Sequence, residues 1–249
     1  MVVEEPLEIR VAGETVAVVM RTPGHDIELA AGFALTEGVI RSAADLGTVR
    51  HCPEARPDGG EGGMNVVDIG LSPGVALDRD RLRRALLTSA ACGVCGKASM
   101  EALATQARPI HSSLRVERSV LATLPERLAG AQGVFRRTGA LHAAGLFSAA
   151  GDLRLCREDV GRHNAVDKLI GRALLDGAPL SDGILLVSGR TSFEILQKAA
   201  VAGLPVVCAI SGPTTLAIET ARTFNITLIN FLRQGEMNIA SCPERITGL

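Results

Sequence analysis

The chain has 249 residues, of which 47% are hydrophobic and 21% charged, and its formal net charge is −1 at pH 7. These values exclude a disordered chain and supply enough apolar residues for one large domain or two small ones. The near-neutral charge excludes a basic nucleic-acid binder, and an aromatic content of 2% without Trp or Tyr excludes a base-stacking platform.

The sequence predicts a cytoplasmic protein without a membrane segment. The N-terminus, MVVEEPLEIRV, is acidic and lacks the basic and apolar order of a signal peptide. The most apolar stretch, 199–210, is short and is interrupted by Gly203 and Pro205, so it does not span a bilayer. In such a chain the six cysteines indicate chemistry or core packing more than a disulfide scaffold.

The first half of the chain predicts a β-rich region. Alternating residues over Leu7–Ala12 and Thr15–Met20, on either side of Gly13-Glu14, are typical of a hairpin. Two further strands are predicted at Val49–Cys52 and Asn65–Leu71. The segment between them, PEARPDGGEGGM, has the composition of an exposed loop.

Two helices are predicted in the same half. The first follows the hairpin and ends at Gly38, a residue type that favours the left-handed conformation after a helix. Its apolar face is formed by Ile27, Ala30, Ala31, Ala34 and Leu35. The second begins near Asp80 and is basic and amphipathic, and its arginines form either a solvated face or a contact with an anion.

The second half predicts alternating strands and helices. Three short apolar runs, Ile184–Val187, Val206–Ile210 and Ile226–Phe231, are separated by helical stretches at Phe193–Ala202 and Leu216–Phe224. This order predicts parallel strands with right-handed crossovers, and therefore an α/β fold.

A strand at Leu153–Arg157 and a helix at Ala165–Leu175 are predicted to precede these units. We therefore predict two domains. Residues 1–115 form a smaller β-rich N-terminal domain, and residues 116–249 form an α/β domain that binds the ligand.

The segment CGVCGK places Cys92 and Cys95 three residues apart, each followed by glycine. Two thiols at this spacing can share a metal, form a disulfide, or act as nucleophile and helper. The glycines leave the sulfur atoms unshielded and Lys97 favours the thiolate, which is untypical of core cysteines. Zinc is disfavoured, because the chain has no second Cys-x-x-Cys and no His-x-Glu.

Two similar loops, SGRTS and SGPTT, each lie between a predicted strand and a helix. Both are expected at the carboxyl edge of the sheet, where free N–H groups of helix N-termini attract anions. They form either a cradle for a nucleotide or another phosphate, or ordinary helix caps. The candidate ligand-binding residues in them are Ser188, Gly189, Arg190, Thr191, Ser211, Gly212 and Thr214.

Two more segments add polar groups near this edge. REDVGRHNAVDK, residues 157–168, contains His163 and Asn164 in a dense polar turn, which is either a binding site or a capped, ion-paired helix. FLRQGE follows the third parallel strand, and its Arg233 and Gly235 are able to complete an anion site.

Taken together, these segments resemble the FdhD family of formate dehydrogenase accessory sulfurtransferases. The resemblance is carried in order by TPGHDIELAAGFALTEGVI, CGVCGK, EDVGRHNAVDK, SGRTSFEILQKAA and GLPVVCAISGPTTLAIETA. It implies a cytidine-deaminase-like, three-layer α/β C-terminal domain without the deaminase zinc site.

The resemblance also implies a function. A cysteine desulfurase would donate sulfur to a persulfide on Cys92, assisted by Cys95, and the protein would pass it to bis-molybdopterin guanine dinucleotide before this molybdenum cofactor enters formate dehydrogenase. Guanine nucleotides are implied as surrogate ligands, and a homodimer as the assembly. The family's cofactor-binding stretch maps to Phe231, Leu232, Arg233, Gln234, Gly235 and Glu236.

Two other functions remain open at this point. The protein could escort the cofactor without transferring sulfur, with the two cysteines as a redox lock. It could also be a zinc-dependent, deaminase-like hydrolase, although the missing His-x-Glu speaks against it.

Overall fold

The computed structural model describes residues 1–52, 65–75, 100–101, 103–104 and 106–249. Within these residues the chain forms a four-stranded sheet, a six-stranded sheet and a two-stranded sheet, with helices between and around them. The predicted mixed α/β class is confirmed. The predicted loop before Asn65 and the predicted helix near Asp80 lie outside the described residues.

The strands, in chain order, are β1 Glu5–Val11, β2 Glu14–Arg21, β3 Leu46–His51, β4 Val66–Leu71, β5 Val116–Glu117, β6 His142–Phe147, β7 Leu153–Asp159, β8 Ile184–Val187, β9 Val206–Ala209, β10 Thr227–Arg233, β11 Glu236–Ser241 and β12 Ile246–Thr247. The helices are α1 Asp26–Thr36, α2 Arg118–Ala131, α3 Phe135–Thr138, α4 Arg162–Leu175, α5 Phe193–Val201 and α6 Thr215–Thr223, with 3₁₀ turns at Ala43–Asp45 and Pro243–Arg245. In this part of the chain, no helix is long and apolar enough to cross a membrane.

The N-terminal sheet has the order β2-β1-β4-β3. The predicted hairpin is confirmed: β1 and β2 are antiparallel, and Ala12 and Gly13 take positive φ angles of 52° and 79° between them. Two successive left-handed residues produce the twist that a tight hairpin turn needs.

The helix predicted after the hairpin is α1. The amide of Val39 donates to the Ala34 carbonyl at 2.8 Å, and Gly38 has a φ of 73°, so the helix ends as predicted. The sequence indicated one apolar face, but α1 is buried on nearly all sides. The reason is that α1 packs both on the N-terminal sheet and on α4.

The six-stranded sheet has the order β11-β10-β9-β8-β6-β7. The predicted parallel pairing of β8, β9 and β10 is confirmed. The sequence did not predict β6, which is antiparallel to both β7 and β8, or β11, which forms a hairpin with β10. These strands widen the sheet on both sides of its parallel centre.

Helices cover both faces of this sheet. In β8, Leu185 and Val187 belong to the buried cluster that includes α4, α5 and α6, whereas Ile184 and Leu186 belong to the cluster that includes α2. The alternation follows from the two-residue period of a strand, and it explains why β8 and β9 are apolar throughout.

Helices α1 and α4 cross at two glycines. A Cβ atom on Gly32 would lie 1.9 Å from the Asp167 carbonyl oxygen, and one on Gly171 would lie 1.8 Å from that of Glu28. Because α1 and α4 pack together, the larger buried cluster is continuous between the two sheets, from Leu7 in β1 to Leu228 in β10. The division into domains 1–115 and 116–249 stays a prediction.

Candidate functional site

The loops after β8 and β9 lie side by side and are bonded to each other. Thr191 and Pro213 form a parallel bridge, the Thr191 amide donates to the Gly212 carbonyl at 3.3 Å, and the Thr214 amide donates to the Thr191 carbonyl at 3.0 Å. We call these two loops, together with the end of β10 and the start of α4, the carboxyl-edge site. Its position is the one that open α/β sheets use to bind ligands.

Some of the loop hydroxyls already have structural partners. Ser188 Oγ accepts a hydrogen bond from the Ala143 amide at 2.9 Å, which holds the loop to β6. Thr214 Oγ1 accepts one from the Ala217 amide at 3.2 Å and is therefore the N-cap of α6. Arg190 is exposed, and its side chain remains available to a ligand.

The end of β10 contributes an amide and an aromatic ring. Asn230 is fully buried, and its Nδ2 donates to Thr191 Oγ1 at 2.8 Å. Phe231 has a φ of 53°, which is rare for a bulky residue, and a Cβ on Gly212 would lie 2.8 Å from its ring. The strained residue thus lies directly against the second loop.

The remaining residues of the predicted cofactor-binding stretch lie in different environments. Leu232 is buried in the core on the α2 side of the sheet. The backbones of Arg233 and Glu236 are register partners across the turn between β10 and β11, in which Gln234 and Gly235 take φ angles of 52° and 79°. Arg233 and Gln234 are exposed, so they present polar groups at the tip of a hairpin.

Several residues of the polar segment 157–168 form structural contacts within the protein. Asp159 is fully buried and pairs with Lys168 Nζ at 2.6 Å. Asp159 also accepts hydrogen bonds from the Thr22 amide and from Asn164 Nδ2, and Lys168 donates to the Thr22 carbonyl. Asn164 further donates to the Met20 carbonyl at 2.7 Å. These residues therefore fasten the end of β2 to α4, and a ligand role for Asn164 stays a prediction.

Two other residues of this segment, Arg162 and His163, lie on the side of the loops. Arg162 Nε and His163 Nε2 are buried without a hydrogen-bond partner, as is Asn230 Oδ1. His163 Nε2 lies 3.9 Å from Glu194 Oε2, too far for a hydrogen bond. Buried polar atoms without partners are costly in native structures, so each of these three atoms is a candidate contact for a ligand or a bound water.

Burial and nearby cations determine the charge of the two histidines. Burial, reinforced by Lys198 and Arg162, lowers the pKa of His163 to about 4. Burial and Arg162 also lower the pKa of His142. Both rings are therefore neutral at pH 7 and offer one donor and one acceptor each.

Sequence reasoning missed His142 and Asn230. A Cβ on Gly189 would lie 3.4 Å from His142 Nδ1, so His142 lies against the first loop, but it belongs to β6, a strand the sequence did not predict. Asn230 was recognisable in the sequence, because it is an amide inside the otherwise apolar run LINFL. A polar residue in a buried strand requires a specific partner.

The predicted catalytic residues Cys92 and Cys95 lie outside the described residues. Three other cysteines are poorly suited to nucleophilic chemistry. Burial raises the pKa of Cys156 to about 11, and it also raises the pKa of Cys208 and of Cys242. A thiol with a raised pKa forms little of the reactive thiolate at neutral pH.

Together the carboxyl-edge site combines cations, neutral imidazoles and amide groups around two glycine-containing loops. Arg162 and Arg190 suit an anionic ligand, and the buried amide of Asn230 suits a polar heterocycle or another hydrogen-bonding group. These features define an α/β protein whose sheet carries, at its carboxyl edge, a candidate site suited to a polar, negatively charged ligand.

The comparisons identify the family. Residues 2–247 match the model of the FdhD/NarQ family, and the chain belongs to it. It is 51% identical over 99% of its length to the sulfur carrier protein FdhD of Streptomyces avermitilis, and 48% identical over 99% of its length to that of Mycobacterium tuberculosis, covering 88% and 91% of those proteins.

A solved structure shares the fold. The chain is similar to the crystal structure of a Desulfotalea psychrophila protein assigned as a formate dehydrogenase accessory protein, with a TM-score of 0.75 and 23% identity. The match covers 98% of this chain and 89% of that protein. The cytidine-deaminase-like detail of the C-terminal domain stays a prediction.

Proposed function

We propose that this chain is a sulfurtransferase that carries sulfur during the maturation of formate dehydrogenase. It takes sulfur from a cysteine desulfurase onto Cys92 and delivers it to bis-molybdopterin guanine dinucleotide, the molybdenum cofactor of the recipient enzyme. The proposal is carried by the relatives named sulfur carrier protein FdhD, which match 99% of this chain at about 50% identity. The resemblance extends the proposal to a cytoplasmic homodimer.

The chemistry assigned to the cysteine pair balances without an added oxidant. The Cys92 thiolate attacks the terminal sulfur of the donor persulfide, a new S–S bond forms on Cys92, and the donor cysteine leaves as a thiolate. When the Cys95 thiolate then attacks the Cys92 sulfur, the carried sulfur leaves as sulfide and a Cys92–Cys95 disulfide remains. The two thiols supply the two electrons that reduce the sulfur.

The raised pKa values of Cys156, Cys208 and Cys242 support this assignment. Cys208 is fully buried, and Cys156 and Cys242 are shifted in the same direction. A carrier has to expose its sulfur to a donor and an acceptor in turn, which a buried thiol does not do. The glycines that follow Cys92 and Cys95 in the sequence favour such exposure.

The carboxyl-edge site fits the polar groups of the acceptor. The acceptor carries phosphates and guanine rings, and the site offers the guanidinium groups of Arg162 and Arg190 together with unpartnered donor and acceptor atoms. Asn230 and His163 would hydrogen-bond a heterocycle edge, and the phosphates would lie against the two loops.

The first experiment loads the protein with sulfur. After incubation with a cysteine desulfurase and cysteine, we expect intact mass spectrometry to show the mass of one added sulfur atom on the wild type and on Cys156→Ala, and none on Cys92→Ala. Guanosine diphosphate should bind Cys92→Ala as it binds the wild type. It should bind Arg190→Gln about tenfold more weakly, since one charge-assisted hydrogen bond is lost.

Two outcomes would overturn parts of the proposal. Sulfur that still loads onto Cys92→Ala would show that another residue is the carrier. No loading on any variant, with nucleotide binding intact, would favour an escort of the cofactor in which the two cysteines act only as a redox lock.

A further inference from the structure

A polar cavity lies away from the carboxyl-edge site, at the opposite edge of the six-stranded sheet, where the parallel strands begin. It has a volume of about 440 Å³. Its lining comes from the segment before β5, with His111, Ser112, Ser113 and Arg115, and from the segments flanking β10 and β12, with Asn225, Glu244 and Arg245. We call it the amino-edge pocket.

The pocket contains a buried and incompletely paired arginine. The side chain of Arg245 is 3% exposed. Its guanidinium donates to two uncharged oxygens, Thr227 Oγ1 and the Ile110 carbonyl, each at 3.2 Å, while Nε is buried without a partner. Among the described residues, the carboxylate paired with it is that of Glu244, 3.8 Å away and 57% exposed. A buried cation with this little compensation favours an anion beside it.

Other lining groups add donors. Arg115 is exposed and uses one of its nitrogens to bond the Leu114 carbonyl at 2.9 Å, which leaves further N–H groups for a ligand. Ser113 and His111 are exposed at the rim. The lining thus contains two guanidinium groups and one carboxylate, and planar guanidinium groups match the oxygen spacing of a phosphate.

We propose that the amino-edge pocket binds the phosphate group of a small molecule, with Arg245 and Arg115 as its cationic partners. The pocket is separate from the carboxyl-edge site, and this inference stands whether or not the protein carries sulfur.

The test titrates inorganic phosphate into the isotope-labelled protein while the backbone amide signals of Ser112 and Ser113 are followed by NMR. These signals report on this pocket and not on the loops at the carboxyl edge. A parallel titration with sodium chloride at matched ionic strength removes the contribution of screening. We expect saturable shifts with phosphate and no saturable shifts with chloride.

Three variants test which residues determine the phosphate dissociation constant. Arg115→Gln, at an exposed position, should raise the phosphate dissociation constant about tenfold. Glu244→Gln should lower it, because the opposing carboxylate is removed. Arg136→Gln changes the net charge by the same amount at an exposed position that does not line the pocket, and it should change the constant less than twofold.

The proposal is overturned if the Ser112 and Ser113 signals fail to saturate with phosphate. It is equally overturned if Arg115→Gln and Arg136→Gln weaken binding alike, since the attraction would then come from net charge and not from a built site.

Discussion

His163 shows how the fold alters the chemistry of one side chain. In the sequence it is one member of a dense polar turn. Its neighbours Asp159 and Asn164 form hydrogen bonds with β2 and with each other. Folding partly buries His163 beside Arg162 and shields its Nε2, and this burial, with Lys198 and Arg162, lowers its pKa to about 4. A neutral imidazole is thereby kept at the carboxyl-edge site, where it can donate or accept a hydrogen bond.

The first prediction at this scale concerns the titration of His163. NMR of the folded protein should show no protonation of this ring between pH 5 and 8, whereas the urea-unfolded chain should protonate it near the ordinary pKa of about 6.5. Because the unfolded chain binds the proton more readily, this residue makes the free energy of unfolding rise with pH between about 4 and 6.5.

Urea unfolding of His163→Gln provides the check on stability. The difference in free energy of unfolding between pH 7 and pH 5 should be smaller in this variant than in the wild type. An unchanged difference would show that His163 titrates alike in the folded and unfolded states.

At the scale of elements, the crossing of α1 and α4 depends on the absence of two side chains. Gly32 and Gly171 let the helix backbones approach so closely that a Cβ would overlap a carbonyl oxygen of the other helix. Close approach brings the polar residues of α4 to the end of β2 and so positions the start of α4 at the site. The sequence showed Gly32 inside a helical pattern, but not that a second helix lies against it.

We predict that Gly32→Ala and Gly171→Ala each lower the free energy of unfolding by about 3 kcal/mol, because the helices must separate to admit a methyl group. Gly130→Ala is the matched control, since Gly130 lies in α2 with no atom within 4 Å of its would-be Cβ. It should raise stability by about 0.5–1 kcal/mol through better helix propensity. Chemical denaturation measures all three, and equal effects would contradict the close crossing.

At the scale of the whole molecule, a buried ionic network joins the N-terminal region to the six-stranded sheet. Lys198 of α5 pairs with Asp167 of α4 at 2.9 Å and with Glu37 at the end of α1 at 3.0 Å, and it donates to Thr36 Oγ1. Burial raises the pKa of Asp167, and the Lys198 ammonium opposes that rise. Removal of the cation would therefore leave two carboxylates buried together.

We predict that Lys198→Met lowers the free energy of unfolding by about 3–5 kcal/mol at pH 7. Burial already raises the pKa of Asp167 to about 6 in the wild type, and removal of Lys198 raises it further, so the loss should grow as the pH rises and shrink as it falls toward 5. The double variant Lys198→Met, Asp167→Asn should recover part of the stability. Denaturation at pH 5 and pH 8 tests this, and a pH-independent loss would contradict the proposed network.

The strand and helix periods in the second half were sufficient to predict the parallel centre of the sheet. Runs such as Ile184–Val187 and Val206–Ile210 are apolar throughout, which only a strand covered on both faces tolerates. The same reasoning placed SGRTS and SGPTT at one edge. It did not predict β6, because a local pattern of apolar residues does not show that an antiparallel strand is inserted between β7 and β8.

The sequence by itself determined the family, the α/β class, the N-terminal hairpin and the adjacency of the two loops, because these follow from local periodicity, turn residues and specific motif strings. The tertiary structure alone decided which polar residues of the REDVGRHNAVDK turn lie at the carboxyl-edge site and which fasten β2 to α4. It also brought His142 against Gly189 and Asn230 against Thr191. Those outcomes depend on the burial and pairing of groups far apart in the chain, and the desolvation and ion pairing that govern them exist only after distant segments have packed.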